Sequence, residues 1–158
     1  MDATGRRPLP HERPLWLGDG QTYFVTLCAQ PRGTDILLRV ASQLIDSFIW
    51  RHDHARWFGL LLLVMPDHVH ALLVENPERP LTKEIRDWKK MSAREHGIPW
   101  QRDFFEHRLR HSESRSEKFE YIVQNPVRAG LVARAEDWPH VWREATDGWA
   151  SRPYLDRQ

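Results

Sequence analysis

The residues with the clearest chemical potential are His68 and His70, two apart in the run MPDHVHALLVE that spans 65–75. Their neighbours Val69, Ala71, Leu72, Leu73 and Val74 read as a strand. Successive strand side chains alternate faces, so both imidazoles point one way, roughly 7 Å apart along the chain. Two neutral ring nitrogens at that spacing can bind one divalent metal. A pair of strand histidines can equally do no more than hydrogen-bond or meet solvent. Its meaning therefore depends on whether the chain supplies a third ligand and a nucleophile.

Both candidates fall on a later helix, SEKFEYIVQN. Phe119, Ile122 and Val123 form its apolar stripe. At the helical rotation per residue, Tyr121 points roughly 160° away from the Phe119 direction and lies off that stripe. Asn125 follows four positions on and about 40° round the helix, and Lys118 precedes the tyrosine by one turn, so the three side chains can act on one object. An exposed tyrosine on a polar helix face is common and needs no function. Taken with the histidines, however, an amide oxygen makes a mixed nitrogen and oxygen set suited to Mg²⁺ or Mn²⁺, with positions left for substrate oxygens. Such a metal polarises a phosphate, and a tyrosine hydroxyl can attack the phosphorus to form a covalent intermediate.

The elements that must position these groups follow from pattern. Residues 1–20 carry Pro8, Pro10, Pro14, Gly18 and Gly20 and read as an extended arm. Gln21–Ala29 is the first strand, rich in β-branched and aromatic residues. Leu37–Trp50 repeats apolar residues at helical spacing. Trp57–Val64 is a second strand, apolar almost throughout and hence central. Met65-Pro66-Asp67 turns into the third strand, His68–Glu75, and so short a connection favours an antiparallel hairpin. Thr82 is the expected cap of a second helix, Lys83–His96, with Leu81, Ile85, Trp88 and Ser92 on its inner side and Gly97 and Pro99 ending it. Trp100–Arg110 reads as a fourth strand. Ser114 and Glu117 resemble a capping box opening the third helix, which runs to about Gln124 before Pro126. Residues 144–158 form a tail. The order predicts one α+β domain over 21–143, a ferredoxin-like four-stranded antiparallel sheet with helices on one face and an additional C-terminal helix carrying the nucleophile.

Composition narrows the class. One cysteine, Cys28, excludes an intrachain disulfide and a multi-cysteine metal cage. No apolar run approaches a transmembrane span, and MDATGRRPLPHERPLW has no apolar stretch for a signal peptide, so a cytoplasmic, nucleoid-associated protein with no membrane partner is expected. The net charge of +1 conceals an asymmetry. Between Arg79 and Arg134 there are 13 Lys or Arg against 8 Asp or Glu, a net of +5, which leaves −4 for the remainder. A basic second half suits a phosphate-binding surface, although a solvated charged face would look the same.

In combination, MPDHVHALL, WQRDFFEHRLR and YIVQNPVRAGLV resemble the HUH-type tyrosine transposases, most closely the REP-associated tyrosine transposase group, over about Gln21–Arg143. The resemblance implies His68 and His70 as paired metal ligands and Tyr121 as the single nucleophile, taking the 5′-phosphate and releasing a 3′-hydroxyl. Asn125 falls where relatives place a third polar ligand. The implied partner is single-stranded DNA carrying hairpin (REP-like) repeats, cut beside the hairpin, by a monomer where the insertion-sequence enzymes work as dimers. Expected phosphate contacts are Lys83, Arg86, Lys89, Lys90 and Arg94 on the second helix, Arg102, Arg108 and Arg110 beyond it, and Lys118. Contacts of that kind give affinity without sequence readout. The arm, with Arg6, Arg7, His11 and Arg13, could reach flanking bases, and Trp100 or Trp142 could stack on unpaired ones. The same chemistry leaves open a relaxase or replication-initiator nickase, a non-catalytic hairpin-binding protein derived from a transposase, and a generic metallo-hydrolase.

Overall fold

The computed structural model describes residues 21–110 and 115–144. The two longest central strands begin and end where the apolar pattern does: β2 is Trp57–Val64 and β3 is His68–Glu75. They pair antiparallel across the Met65-Pro66-Asp67 turn, and β1, Thr22–Cys28, pairs antiparallel with the other side of β3. Burial of all eight β2 residues matches its unbroken apolar run.

The sheet has five strands and not four. β4, Phe105–Arg108, flanks β1, and β5, Val141–Arg143, pairs with β2 through Leu61, Leu62 and Leu63, so the order is β4-β1-β3-β2-β5. β5 is three residues long and lies in a Trp-rich stretch without alternation, which left no strand signature to read. The fourth strand is also shorter than the run Trp100–Arg110. Trp100 bridges Ala29 and Phe105 pairs with Thr26, so five steps on one chain oppose three on the other and the ladder must break between them. The Trp100 indole turns inward instead and donates to Ser92 Oγ at 2.9 Å.

The helices follow the predicted periodicity with two local changes. The first apolar run breaks at Val40, φ −122°, into α1, Ile36–Arg39, and α2, Ala41–Asp53; a β-branched residue has weak helix preference there. α3 runs Leu81–His96 with Pro80, and not Thr82, at its N-cap position. The Glu75 carboxylate accepts the Leu81 N–H at 2.8 Å and so supplies the cap from the preceding strand. Gly97 closes the helix at φ 66°, with its N–H bonded to Ala93 O. Leu81, Ile85, Trp88 and Ser92 are its buried side, as the spacing predicts. α4 is Arg115–Val123 and α5 is Asn125–Arg128. Ser114 of the capping box, the arm at 1–20 and the tail from 145 onward lie outside the described residues.

Helices cover both faces of the sheet, which corrects the expectation of helices on one face. α2 and α3 pack with Val25, Leu27, Leu62, Ala71 and Leu73 on one side. On the other, Phe119, Ile122 and Val123 of α4 pack with Phe24, Phe58, Leu61, Leu63, Leu72 and Val74, joined by Trp138. Alternation is the reason: β2 is apolar on both faces, and β3 adds Leu72 and Val74 beyond the histidines on one face and Val69, Ala71 and Leu73 on the other, so the sheet centre must be covered twice.

A glycine marks one tight point of this packing. A Cβ on Gly59 would lie 2.5 Å from Phe48 Cε1 and 3.2 Å from Trp142 Cζ3. Phe48 is fully buried and its ring is wedged among Trp57, Trp88 and Trp142 at centroid distances of 5.1, 5.7 and 5.7 Å, so it has nowhere to retreat. Gly59→Ala is therefore expected to destabilise the protein by about 1–3 kcal/mol, the usual scale of core overpacking, read as a lower midpoint in urea titration.

Candidate active site

Strand register decides what shares a face with the histidines. His70 pairs with Thr26 and His68 with Cys28, while Phe24 lies opposite Leu72. Paired residues point the same way, so His68, His70, Thr26, Cys28 and Phe24 form one surface, the one on which α4 packs. The two imidazoles meet edge to face with centroids 4.8 Å apart.

Each ring is held through its Nδ1. His68 Nδ1 donates to Asp67 Oδ1 at 2.7 Å, and His70 Nδ1 lies 2.9 Å from Thr26 Oγ1. Anchoring one nitrogen of an imidazole fixes its orientation and leaves Nε2 as the nitrogen that can bind a metal. Asp67 is itself restrained by the Gly33 N–H at 2.8 Å and the Arg32 Nε at 2.9 Å. Burial opposes its ionisation, but the hydrogen bonds from Gly33, His68 and Arg32 prevail and hold its carboxyl at about 2. His70 is driven down to about 3, first by burial and then by the nearby His68, Arg128 and Arg32 charges, so its ring is neutral at physiological pH, the form that binds metals. Cys28 is half-buried and its Sγ lies 3.0 Å from Arg32 Nη1.

α4 brings the second group of candidates to this face. Tyr121 is 55% exposed, off the buried stripe of Phe119, Ile122 and Val123 as its rotation predicts. Lys118 Nζ lies 5.2 Å from the Phe24 ring centroid and 5.7 Å from that of Tyr121, and Phe24 in turn lies 5.3 Å from His70. Arg128 stacks on the Tyr121 ring at 4.1 Å and donates to the Tyr121 carbonyl at 2.6 Å. A short set of contacts thus runs from His70 through Phe24 and Lys118 to Tyr121. Asn125 is half-buried at the start of α5, one residue beyond the break at Gln124. Among the described residues, no cluster of three or more His, Cys, Asp or Glu side chains could hold a metal, so nothing of that kind joins the histidine pair.

The basic residues expected to contact phosphate are divided. Lys83, Arg86, Lys89, Lys90 and Arg94 lie on α3, which packs on the sheet face opposite the histidines. Arg108 pairs with Tyr23 and points to that same side. Lys89 is engaged structurally, since its Nζ donates to the Gln101 and Arg102 carbonyls at 2.7 and 2.8 Å; burial lowers its pKa. Lys83 pairs with Asp87 one turn on, while Arg86, Lys90, Arg94, Arg102 and Arg110 are exposed. Of the predicted cations, Lys118 is the one that touches rings of the candidate site.

Four contributors escaped the sequence reading: Thr26, Arg32, Asp67 and Arg128. Thr26 and Arg32 act across strand pairing or a turn, which no local pattern encodes. Asp67 sits inside the motif already singled out, beside His68, and a carboxylate next to a candidate metal ligand was a signal that could have been used. Arg128 lies seven residues after Tyr121, two helical turns on, and was legible only if the break at Gln124 left the helical path nearly straight.

No family model matches the chain. A Haemophilus influenzae protein described as a REP-associated tyrosine transposase is 31% identical over 139 residues, which cover 77% of this chain and 78% of that one. The Escherichia coli K12 REP-associated tyrosine transposase is 28% identical over 124 residues, covering 76% and 74%. Among solved structures, a REP-associated tyrosine transposase bound to a REP hairpin superposes with a TM-score of 0.69 at 26% identity, over 77% of this chain and 76% of that one. A transposase-type structure from Deinococcus radiodurans, 22% identical with a TM-score of 0.51 over 65% and 88% of the two chains, shares the fold.

Proposed function

Because the chain belongs to the REP-associated tyrosine transposases, we propose that it cuts and rejoins single-stranded DNA beside hairpin-forming repeats, with Tyr121 as nucleophile and a divalent metal held by His68 and His70. The observation that carries this reading is the shared face: His70, Phe24, Lys118 and Tyr121 follow one another in ring and cation contacts no longer than 5.7 Å. Hairpin DNA as partner rests on the solved relative bound to a REP hairpin.

The donor set suits a hard or borderline cation. Two imidazoles fixed through Nδ1 supply two nitrogen donors, which suits an ion that keeps open positions for substrate oxygens. Asn125 is the third ligand in this reading, through its amide oxygen. When bound, Mg²⁺ or Mn²⁺ would polarise the phosphate oxygens and offset their charge.

The chain's own residues account for the rest. Tyr121 Oη forms the bond to phosphorus and gives up its proton, while the bond from phosphorus to the 3′ oxygen breaks and that oxygen leaves as a hydroxyl. The DNA 5′-phosphate is thereby stored on the tyrosine, and attack by a free 3′-hydroxyl reverses the step. Lys118 and Arg128 flank the tyrosine ring and supply positive charge where the phosphate gathers it. Phe119, Ile122 and Val123 anchor the helix that aims Oη.

The test is a labelled hairpin oligonucleotide, taken from inverted repeats adjoining the reading frame and carrying unpaired flanks, incubated with Mg²⁺ or Mn²⁺. A denaturant-stable protein–DNA adduct that disappears with EDTA is expected. Hairpin binding without any adduct from the wild type would overturn the catalytic reading and leave a hairpin-binding protein. Turnover without an adduct would indicate a metallo-hydrolase. Within the same assay Asp67→Asn, which weakens the hold on the His68 ring, is expected to raise the half-maximal Mn²⁺ concentration by about 10- to 100-fold. Hairpin affinity measured without metal should stay unchanged.

A further inference from the structure

Phe105 is out of place for an apolar side chain. It is 56% exposed, one of four large hydrophobic residues among the described ones that stand open to solvent, and Tyr121 is another. Its strand, β4, is an edge of the sheet, and pairing with Thr26 turns the Phe105 ring to the histidine face and not to the α2–α3 side. There it meets Phe24 edge to face, with centroids 6.1 Å apart. Phe24 is the ring that packs on His70 and lies under the Lys118 ammonium. Two exposed aromatics are therefore tied to one buried phenylalanine, Phe105 by direct ring contact and Tyr121 through the Lys118 ammonium.

We infer that Phe105 is a stacking platform for an unpaired DNA base next to the phosphate presented to Tyr121, with Phe24 as its support and Lys118 contacting the intervening backbone. The inference rests on the proposed cleavage reading and adds a positioning site to it. An exposed ring, backed by a buried ring that itself lies under an ammonium, suits a nucleobase, since every base has a π face and stacking tolerates sequence. Phe24 is 8% exposed and pinned between His70 and the α4 core, so the edge of a fixed ring limits how Phe105 can turn. A base held there would restrain the nucleotide whose phosphate meets the tyrosine, which is how a positioning group aids a displacement.

The experiment uses the full chain and a hairpin oligonucleotide with unpaired flanks on both sides, carrying 2-aminopurine at each flank position in turn. Binding is followed by fluorescence in EDTA, so that it is read without cleavage. The wild type is expected to quench the probe at one or two positions. Phe105→Ala should lose that quenching and weaken binding of the flanked hairpin about 10-fold, with a blunt hairpin bound as before. Phe105→Trp should restore both. An abasic site at the quenched position should weaken the wild type by a similar factor and leave Phe105→Ala unaffected, because the two changes delete one contact. Unchanged flank affinity in Phe105→Ala, or equal losses for flanked and blunt hairpins, overturns the inference. A Phe105→Ala protein with a lowered thermal midpoint is replaced by Phe105→Leu, which keeps apolar bulk without a ring and is expected to show the same loss. The adduct assay runs separately. A wild type that stacks the flank yet forms no adduct sinks the cleavage reading alone, whereas an adduct-forming wild type with no Phe105 effect sinks the stacking site alone.

Discussion

Tyr121→Phe is expected to give no denaturant-stable adduct on the hairpin substrate, with the cleavage rate down by roughly four orders of magnitude or more, the scale seen when a covalent nucleophile is removed. The substitution deletes one oxygen from a side chain that is 55% exposed and lies outside the buried stripe of α4. Phe119, Ile122 and Val123 still anchor the helix, and Arg128 can still stack on the phenyl ring. Thermal stability and hairpin affinity should therefore match the wild type within experimental scatter. That separation gives the test its force: loss of adduct with binding retained can come only from the chemistry of the hydroxyl. An adduct from Tyr121→Phe would move the nucleophile elsewhere in the chain.

The second large effect concerns the histidine pair. His68→Ala is expected to abolish adduct formation in Mg²⁺ and Mn²⁺ and to leave hairpin binding in place. The His68 side chain is 16% exposed and its ring touches Asp67 and His70, so truncation is expected to cost some stability, less than at His70. His70→Ala should abolish the adduct as well, but with a larger drop in stability, because its ring packs on Phe24 and binds Thr26. Thr26 then loses its partner in a half-buried site, a cost of about 1–3 kcal/mol. The two variants thus separate ligation from packing. If His68→Ala still cut DNA at the wild-type metal optimum, the pair would be structural. Isothermal titration with Mn²⁺ gives an independent reading, with heat from the wild type and none from either variant.

Several features of the molecule were legible in the residues alone because they are matters of local periodicity. A period of two placed both histidines on one strand face, while continuous apolar runs on either side of a Pro-containing turn gave the limits of Trp57–Val64 and His68–Glu75. A period near 3.6 identified the buried side of α3 and set Tyr121 apart from the α4 core. The glycine at 97 stopped α3 for a steric reason that holds in any context. Family membership was readable too, because three separate motifs keep their order and spacing.

Tertiary structure alone decided which partner each face would meet. An amphipathic helix carries a record of its own apolar stripe but not of the sheet face that stripe will cover. α3 and α4 consequently went to opposite sides, and the basic residues of α3 were parted from the histidines. The three-residue strand Val141–Arg143 exists because Leu61–Leu63 offers an open edge, not because its own residues demand extension. Thr26, Arg32 and Arg128 reach the site across strand pairing, a turn and a helix break, all of them non-local. His68 and His70 were placed side by side by the alternation of one strand. What holds their rings, and brings a tyrosine to the same surface, was settled only when distant segments packed.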